Sequence, residues 1–321
     1  MQKIDIVIAW VDGNDVVLKK KRHKYLTGDD ASDAISDTRF ASNNEIYYNI
    51  ASILKYVPFS GHIYVVTDQQ SPDFINDFAA QGLCDVDKIK VVDHQEFFKG
   101  YIQHLPTFNT RSIESMLWNI PKLSDYFIYL NDDFFFNAEA KVEDFLEQDN
   151  IVVYGHWQAN FALKTKLKYR QFLSKNFNKP IQPKHMIAQM LSADILGMNQ
   201  FFEIHHYPHI VDRKILGDYF ESQPKLLETQ IKFKFRSVEQ VNPITLMNHL
   251  KIQKNQAVLK SDIELAYLKN EQSVEGFLQA LNKADVKYGC IQSLDQLNDV
   301  ASQKVASAMR EKFKGFLPNS L

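Results

Sequence analysis

Four short runs of β-branched and aromatic residues punctuate the amino-terminal part of the chain: Ile4 to Trp10, His62 to Thr67, Ile89 to Val92 and Tyr126 to Leu130. Each is apolar almost without interruption, as expected for strands covered on both faces. Between them lie stretches with helical spacing. Ile46, Ile50, Ile53 and Leu54 share one face of a helix predicted over Asn43 to Tyr56, and Pro58 ends the pattern. Arg111 to Ile120 reads as a second helix ahead of the fourth strand. This alternation predicts an α/β fold with a Rossmann-like, mostly parallel sheet, in which ligands bind beyond the carboxyl ends of the strands.

Beyond about residue 150 strand signals thin out and amphipathic helical ones dominate. From Asp262 onward, Leu294, Leu297, Val300, Val305, Met309, Phe313 and Phe316 predict a helical C-terminal region, either a packed cap or a partner-binding bundle. No repeat, low-complexity tract or Gly/Ser linker divides the chain. The expected organisation is one compact unit of three stretches, residues 1–150, 151–250 and 251–321.

Composition narrows the class. Hydrophobic residues make up 45% and charged residues 24%, ordinary for a globular enzyme and unlike disordered or collagenous chains. No apolar stretch approaches the roughly 20 residues of a membrane span. The first apolar run contains Asp5 and lacks a small-residue cleavage site, so it reads as a strand and not a signal peptide. Cys84 and Cys290 are the only cysteines, which excludes a disulfide framework and makes the cytoplasm the expected compartment. With 37 basic against 39 acidic residues the net charge is −2, which gives no ground for a nucleic-acid partner.

That near-zero sum hides a segregation. From Ile151 to Ala193 there is no Asp or Glu, whereas Lys164, Lys166, Lys168, Arg170, Lys175, Lys179 and Lys184 are all basic. Such a stretch is either a solvated helix face or a guide for an anionic acceptor polymer or membrane surface, which would make the protein peripheral to the inner face of the cell membrane.

Candidate chemistry clusters at a few places. Trp10-Val11-Asp12-Gly13-Asn14-Asp15 follows the first strand, where a Gly turn would offer N–H groups to a nucleotide or would simply be a turn. Asn131-Asp132-Asp133 ends the fourth strand. Two acids leaving a buried strand between aromatic runs suit a hard divalent cation, Mg²⁺ or Mn²⁺, better than plain solvation. His205-His206-Tyr207-Pro208-His209, with Asp212 and Arg213 close behind, gathers imidazoles and a guanidinium for acid–base work and phosphate binding. Zinc is a rival there, although no cysteine lies nearby. Arg236 is a candidate phosphate clamp. Asp37-Thr38-Arg39-Phe40, the helix start at Asn43 and the His104-to-Asn109 segment read alone as caps or loops.

Taken in order, these segments resemble the Stealth family of sugar-1-phosphate transferases. The matching blocks are Ile4 to Asp15, Asp37 to Phe136, His206 to about Arg236, and Lys287 to Phe316. The resemblance implies that Trp10, Asp12, Gly13 and Asp15 surround a UDP-sugar donor, with Arg39, Asn43 and Asn109 in the same pocket. It implies a divalent metal on Asp132 and Asp133. His206, His209, Arg213 and Arg236 would lie at the reacting phosphate, with Asp15 also in the catalytic set and His206 the first choice of base. Residues 1–150 would then be the nucleotide-sugar-binding core, and residues 151–250 the acceptor side, where Lys164, Lys166 and Lys168 meet a saccharide or lipid-linked polysaccharide. The implied reaction transfers a sugar-1-phosphate to a hydroxyl and releases UMP. A conventional glycosyltransferase releasing UDP and a non-catalytic polysaccharide-binding module are the alternatives. The oligomeric state is not specified by the sequence.

Overall fold

A computed structural model of the protein describes residues 3–26, 40, 42–177, 181–292 and 294–321. From the amino end the chain runs β1 (Ile4–Ala9), α1 (Val16–His23), α2 (Glu45–Tyr56), β2 (Ser60–Thr67), β3 (Ile89–Asp93), α3 (Thr110–Glu114), β4 (Tyr126–Asn131) and β5 (Phe134–Phe136). The middle adds β6 (Leu146–Glu147), β7 (Asn150–Tyr154), β8 (His156–Ala159), α4 (Asn160–Phe177), α5 (His185–Asp194), β9 (Gln200–Glu203), β10 (His209–Asp212), α6 (Arg213–Ser222), α7 (Pro224–Ile231) and α8 (Pro243–Gln253). The C-terminal part contains β11 (Ala257–Lys260), β12 (Leu265–Leu268), α9 (Val274–Leu281), β13 (Tyr288–Ile291) and α10 (Asp299–Lys312).

The four apolar runs are four neighbouring strands. The central sheet has the order β10-β4-β1-β2-β3, parallel from β4 to β3 with β10 antiparallel on the edge. Ile6, Val7, Ile8, Ile128 and Leu130 are fully buried, the burden of a sheet covered on both faces. This is the Rossmann-like α/β core expected. The second helix is shorter than its pattern: α3 stops at Glu114 and a 3₁₀ turn follows at Leu117–Asn119. Ser115 Oγ donates to Arg111 O at 2.7 Å, a side-chain bond that competes with continuing the α-helix.

After residue 150 the structure places strands that the pattern barely announces. They are four or five residues long, and several, such as His156-Trp157-Gln158-Ala159, mix polar and apolar side chains without a clean period. The helical C-terminal region, with α9 and α10, therefore also carries β12 and β13. These strands join the stretches together. β10 pairs with β4, β11 with β7, and β13 with β5. A Cβ on Gly289 would sit 2.1 Å from the Phe135 ring, so β13 lies against β5 only because position 289 has no side chain. One hydrophobic core runs through all three stretches, from Ile6 through Val211 and Leu246 to Phe277 and Phe313. Among the described residues, no helix is long and apolar enough to cross a membrane.

Candidate active site

β4 delivers Asp132 and Asp133 to the carboxyl end of the sheet, beside the end of β1, where Ala9 pairs with Asn131. Asn49 of α2 fixes this turn by donating Nδ2 to Asn131 O at 2.9 Å. α2 also brings its first residue, Glu45, toward the pair. Burial raises all three carboxyls: Asp133 to about 6, Glu45 to about 7, and Asp132 well above the usual range because Asp133 and Glu45 add like charge. Behind them, the Tyr129 hydroxyl lies 3.1 Å from Glu114 Oε1 and 2.8 Å from Asn131 Oδ1, with one proton to donate between them, and burial raises Glu114 to about 7. From the far end of the chain, the Cys290 thiol lies 3.4 Å from Asp133 Oδ2. Acids pushed this far toward protonation are an oxygen donor set whose ionised form a hard divalent cation would restore, so the residues fit such an ion.

The imidazoles adjoin this turn. His206 packs edge-on to Phe134, which directly follows Asp133, with ring centroids 5.8 Å apart. Its ring is stacked with His185 at 5.9 Å and Tyr267 at 5.8 Å. Burial, then His205 and Arg236, hold His206 below the ordinary histidine value, so at neutral pH it is an unprotonated acceptor. Arg236 donates Nη2 to Thr110 Oγ1 at 3.0 Å, and its charge acts on Asp133 and Glu114 as well as His206. His209, on β10 opposite Tyr129, is buried and lowered to about 3 by desolvation first and His206 second. It is a neutral part of the sheet edge behind His206.

The family model of Stealth protein CR1, conserved region 1, matches residues 2–30, and that of Stealth protein CR2, conserved region 2, matches residues 39–154. WefC of Streptococcus gordonii, named a receptor polysaccharide phosphotransferase, is 26% identical over 93% of this chain and 92% of its own. The chain carries conserved regions 1 and 2 of the Stealth family. A capsular polysaccharide phosphotransferase of Actinobacillus suis is 39% identical over 151 residues, 46% of this chain. The matching stretch spans only 39% of that relative's length. Among solved structures, the galactosyltransferase LgtC with donor and acceptor sugar analogues aligns over 98% of this chain and 96% of its own, at 13% identity and a TM-score of 0.47.

Several residues singled out by sequence have partners within the fold. Asp15 caps α1, accepting from Leu18 N at 2.6 Å. Asp12 Oδ1 accepts from Asn14 N, and its backbone is paired with Gln70. Gly13 gives its N–H to Phe40 O at 2.6 Å rather than to open solvent, and a Cβ there would lie 2.2 Å from that oxygen. Trp10 is buried, its indole N–H on Ser42 Oγ. Asn43 is exposed at the mouth of α2, and Arg39 lies outside the described residues. Asn109 is fully buried, donating Nδ2 to Phe233 O, Phe235 O and Gln240 Oε1. It holds the strand of chain that carries Arg236.

Two expectations need correction. Arg213 does not join His206 and Arg236: β10 runs antiparallel to β4, so Arg213 emerges past Tyr126, at the opposite end of β4 from the acids and roughly 17 Å along the strand. Its guanidinium donates to Trp118 O and Leu123 O, both at 2.6 Å. Of the three acceptor-side lysines, Lys164 is already paired with Asp194 at 2.5 Å, whereas Lys166 and Lys168 are exposed on α4.

The sequence does not single out Glu45, Glu114, Tyr129, Tyr267 or His185 as site residues. Glu45 had a local signal, an acid in the first turn of a predicted helix. Tyr267 and His185 had none, because only tertiary packing brings them to His206.

Proposed function

We propose that this protein is a Stealth-family transferase that moves a sugar-1-phosphate from a UDP-sugar to a hydroxyl of a growing capsular or exopolysaccharide, forming a phosphodiester and releasing UMP. The observation that carries this reading is the meeting of carboxylates, an unprotonated imidazole and a guanidinium at the carboxyl end of β4. The names of the phosphotransferase relatives support it.

The acceptor oxygen attacks the phosphorus that bears the donor sugar. The bridging diphosphate bond breaks, and UMP leaves with its electron pair. His206 takes the acceptor proton, a contribution of roughly 10²–10⁴-fold. Arg236 opposes the negative charge that develops on the transferring oxygens. Asp132 and Asp133, with Glu45 beside them, would hold Mg²⁺ or Mn²⁺, which would supply positive charge against the diphosphate. Trp10, Asp12, Gly13 and Asn43 form the donor side. α4 exposes Phe161, Tyr169 and Phe172 between Lys166 and Lys168, a face suited to a lipid-linked, anionic polysaccharide at the inner surface of the cell membrane. The donor places the reaction in the cytoplasm.

The test is incubation with a panel of UDP-sugars, a capsular acceptor and Mg²⁺ or Mn²⁺, with the nucleotide product identified. Metal-dependent UMP is expected. UDP would make the protein a conventional glycosyltransferase, and no nucleotide release together with no nucleotide-dependent thermal shift would make it a binding module.

A further inference from the structure

Outside the site just described, a second group of ligand atoms converges. β8 and β9 form a two-stranded ribbon in which His156 lies opposite Glu203. Two residues past Glu203 comes His205, and the connection from β11 to β12 brings Asp262 against both imidazoles. His156 Nδ1 is 2.7 Å from Asp262 Oδ2, and His205 Nε2 is 3.2 Å from Asp262 Oδ1. The two rings are tilted by 33° with centroids 5.7 Å apart. The three side chains offer one ligand atom each, all within 4.8 Å of one another.

We propose that His156, His205 and Asp262 form a cation site separate from the Asp132/Asp133 pair, with a donor set suited to a transition metal such as Zn²⁺. Two imidazoles and one carboxylate are the ligand chemistry of borderline-soft cations, unlike the all-oxygen acids at the end of β4. A second observation supports the assignment. The other nitrogen of His156, Nε2, is 2.8 Å from Gln158 Nε2 and 3.5 Å from Oε2 of the buried Glu203, a carboxylate placed to take the outer position that orients a metal-bound histidine. The side chains of His156, His205 and Asp262 are 40%, 43% and 43% exposed, so the remaining coordination positions open to water. A cation here ties the loop bearing His205 and His206 to β8 and to the β11–β12 connection. Its role is to brace the loop that presents the imidazole face, with no part in the bond-making step.

The test uses the full chain without an affinity tag, stripped with a chelator and titrated with Zn²⁺ by calorimetry and with Co²⁺ by visible absorption. One Zn²⁺ per chain is expected, with a Co²⁺ d–d band of a low-coordinate nitrogen–oxygen site. His156→Ala and Asp262→Asn should each weaken Zn²⁺ binding tenfold or more, and Glu203→Gln about tenfold. Asp132→Asn with Asp133→Asn should leave it intact, so the result is independent of whether UMP is released. Zn²⁺ affinity unchanged by Asp262→Asn, an exposed and near-isosteric change that spares the fold, overturns the proposal. So does loss of Zn²⁺ binding in the Asp132/Asp133 double variant alone.

Discussion

Glu45, Asp132 and Asp133 illustrate at the scale of single residues how burial prepares chemistry. Each carboxyl is pushed toward its neutral form, and a bound cation would favour the ionised form again. Mn²⁺ at a hundred times its Kd should stabilise the wild-type chain by about 2.7 kcal/mol in a thermal melt, and Asp132→Asn with Asp133→Asn should remove most of that gain. His206→Ala should lower kcat by 10²–10⁴-fold at saturating substrates, and turnover close to wild type would exclude it as the base. His94 provides a residue-scale test away from the site. It is buried, and desolvation lowers it from 6.5 to about 4. Because the folded value lies below the unfolded one, its contribution is present above pH 6.5 and is lost as pH falls toward 4. That gap corresponds to about 3 kcal/mol, so His94→Leu should gain that much on the wild type between pH 7 and pH 4 in denaturant titrations. Parallel stability curves would contradict it.

At the scale of elements, α3 and α4 carry different burdens. α3 is short, and its placement depends on Asn109, whose side chain stitches the helix start to residues 233–240. Asn109→Ala leaves several buried carbonyls without a donor and should cost about 2–4 kcal/mol in chemical denaturation, with kcat falling because Arg236 rides on that segment. α4 has the reverse character. It buries little beyond Leu167 and exposes aromatics and lysines over 18 residues. Charge reversal at Lys166 and Lys168 should weaken acceptor-polymer binding in a salt-dependent way while sparing donor hydrolysis. Equal loss of both activities would sever α4 from the acceptor.

At the scale of the whole molecule, three shared sheets and one continuous core link the amino-terminal core to everything after it. Calorimetry should therefore show a single unfolding transition, and removing the residues after Lys260 should leave Phe135 and Phe136 uncovered and the remainder unable to fold cooperatively. Two separate transitions would favour independent domains. The charge balance belongs to this scale too: the acid-free stretch from Ile151 to Ala193 exposes Lys166 and Lys168 on α4, while of the acids before it Asp132 and Asp133 sit at the end of β4. The net charge of −2 is the sum of these unlike surfaces.

The sequence by itself determined the parallel sheet, since four nearly continuous apolar runs alternating with helical segments are most readily buried as neighbouring parallel strands. It also determined the carboxyl-end acids, because a strand that ends in Asn-Asp-Asp must present them where ligands bind in such a sheet. The short mixed strands after residue 150 had too few residues to show a period. Only the tertiary structure decided the rest of the site. The antiparallel course of β10 sent Arg213 away while the loop before it brought His206 in, and Cys290, Tyr267 and His185 reached the acids and the imidazole from distant parts of the chain. Strand direction and long-range packing are set by the burial of the whole core, and no local pattern of residues encodes them.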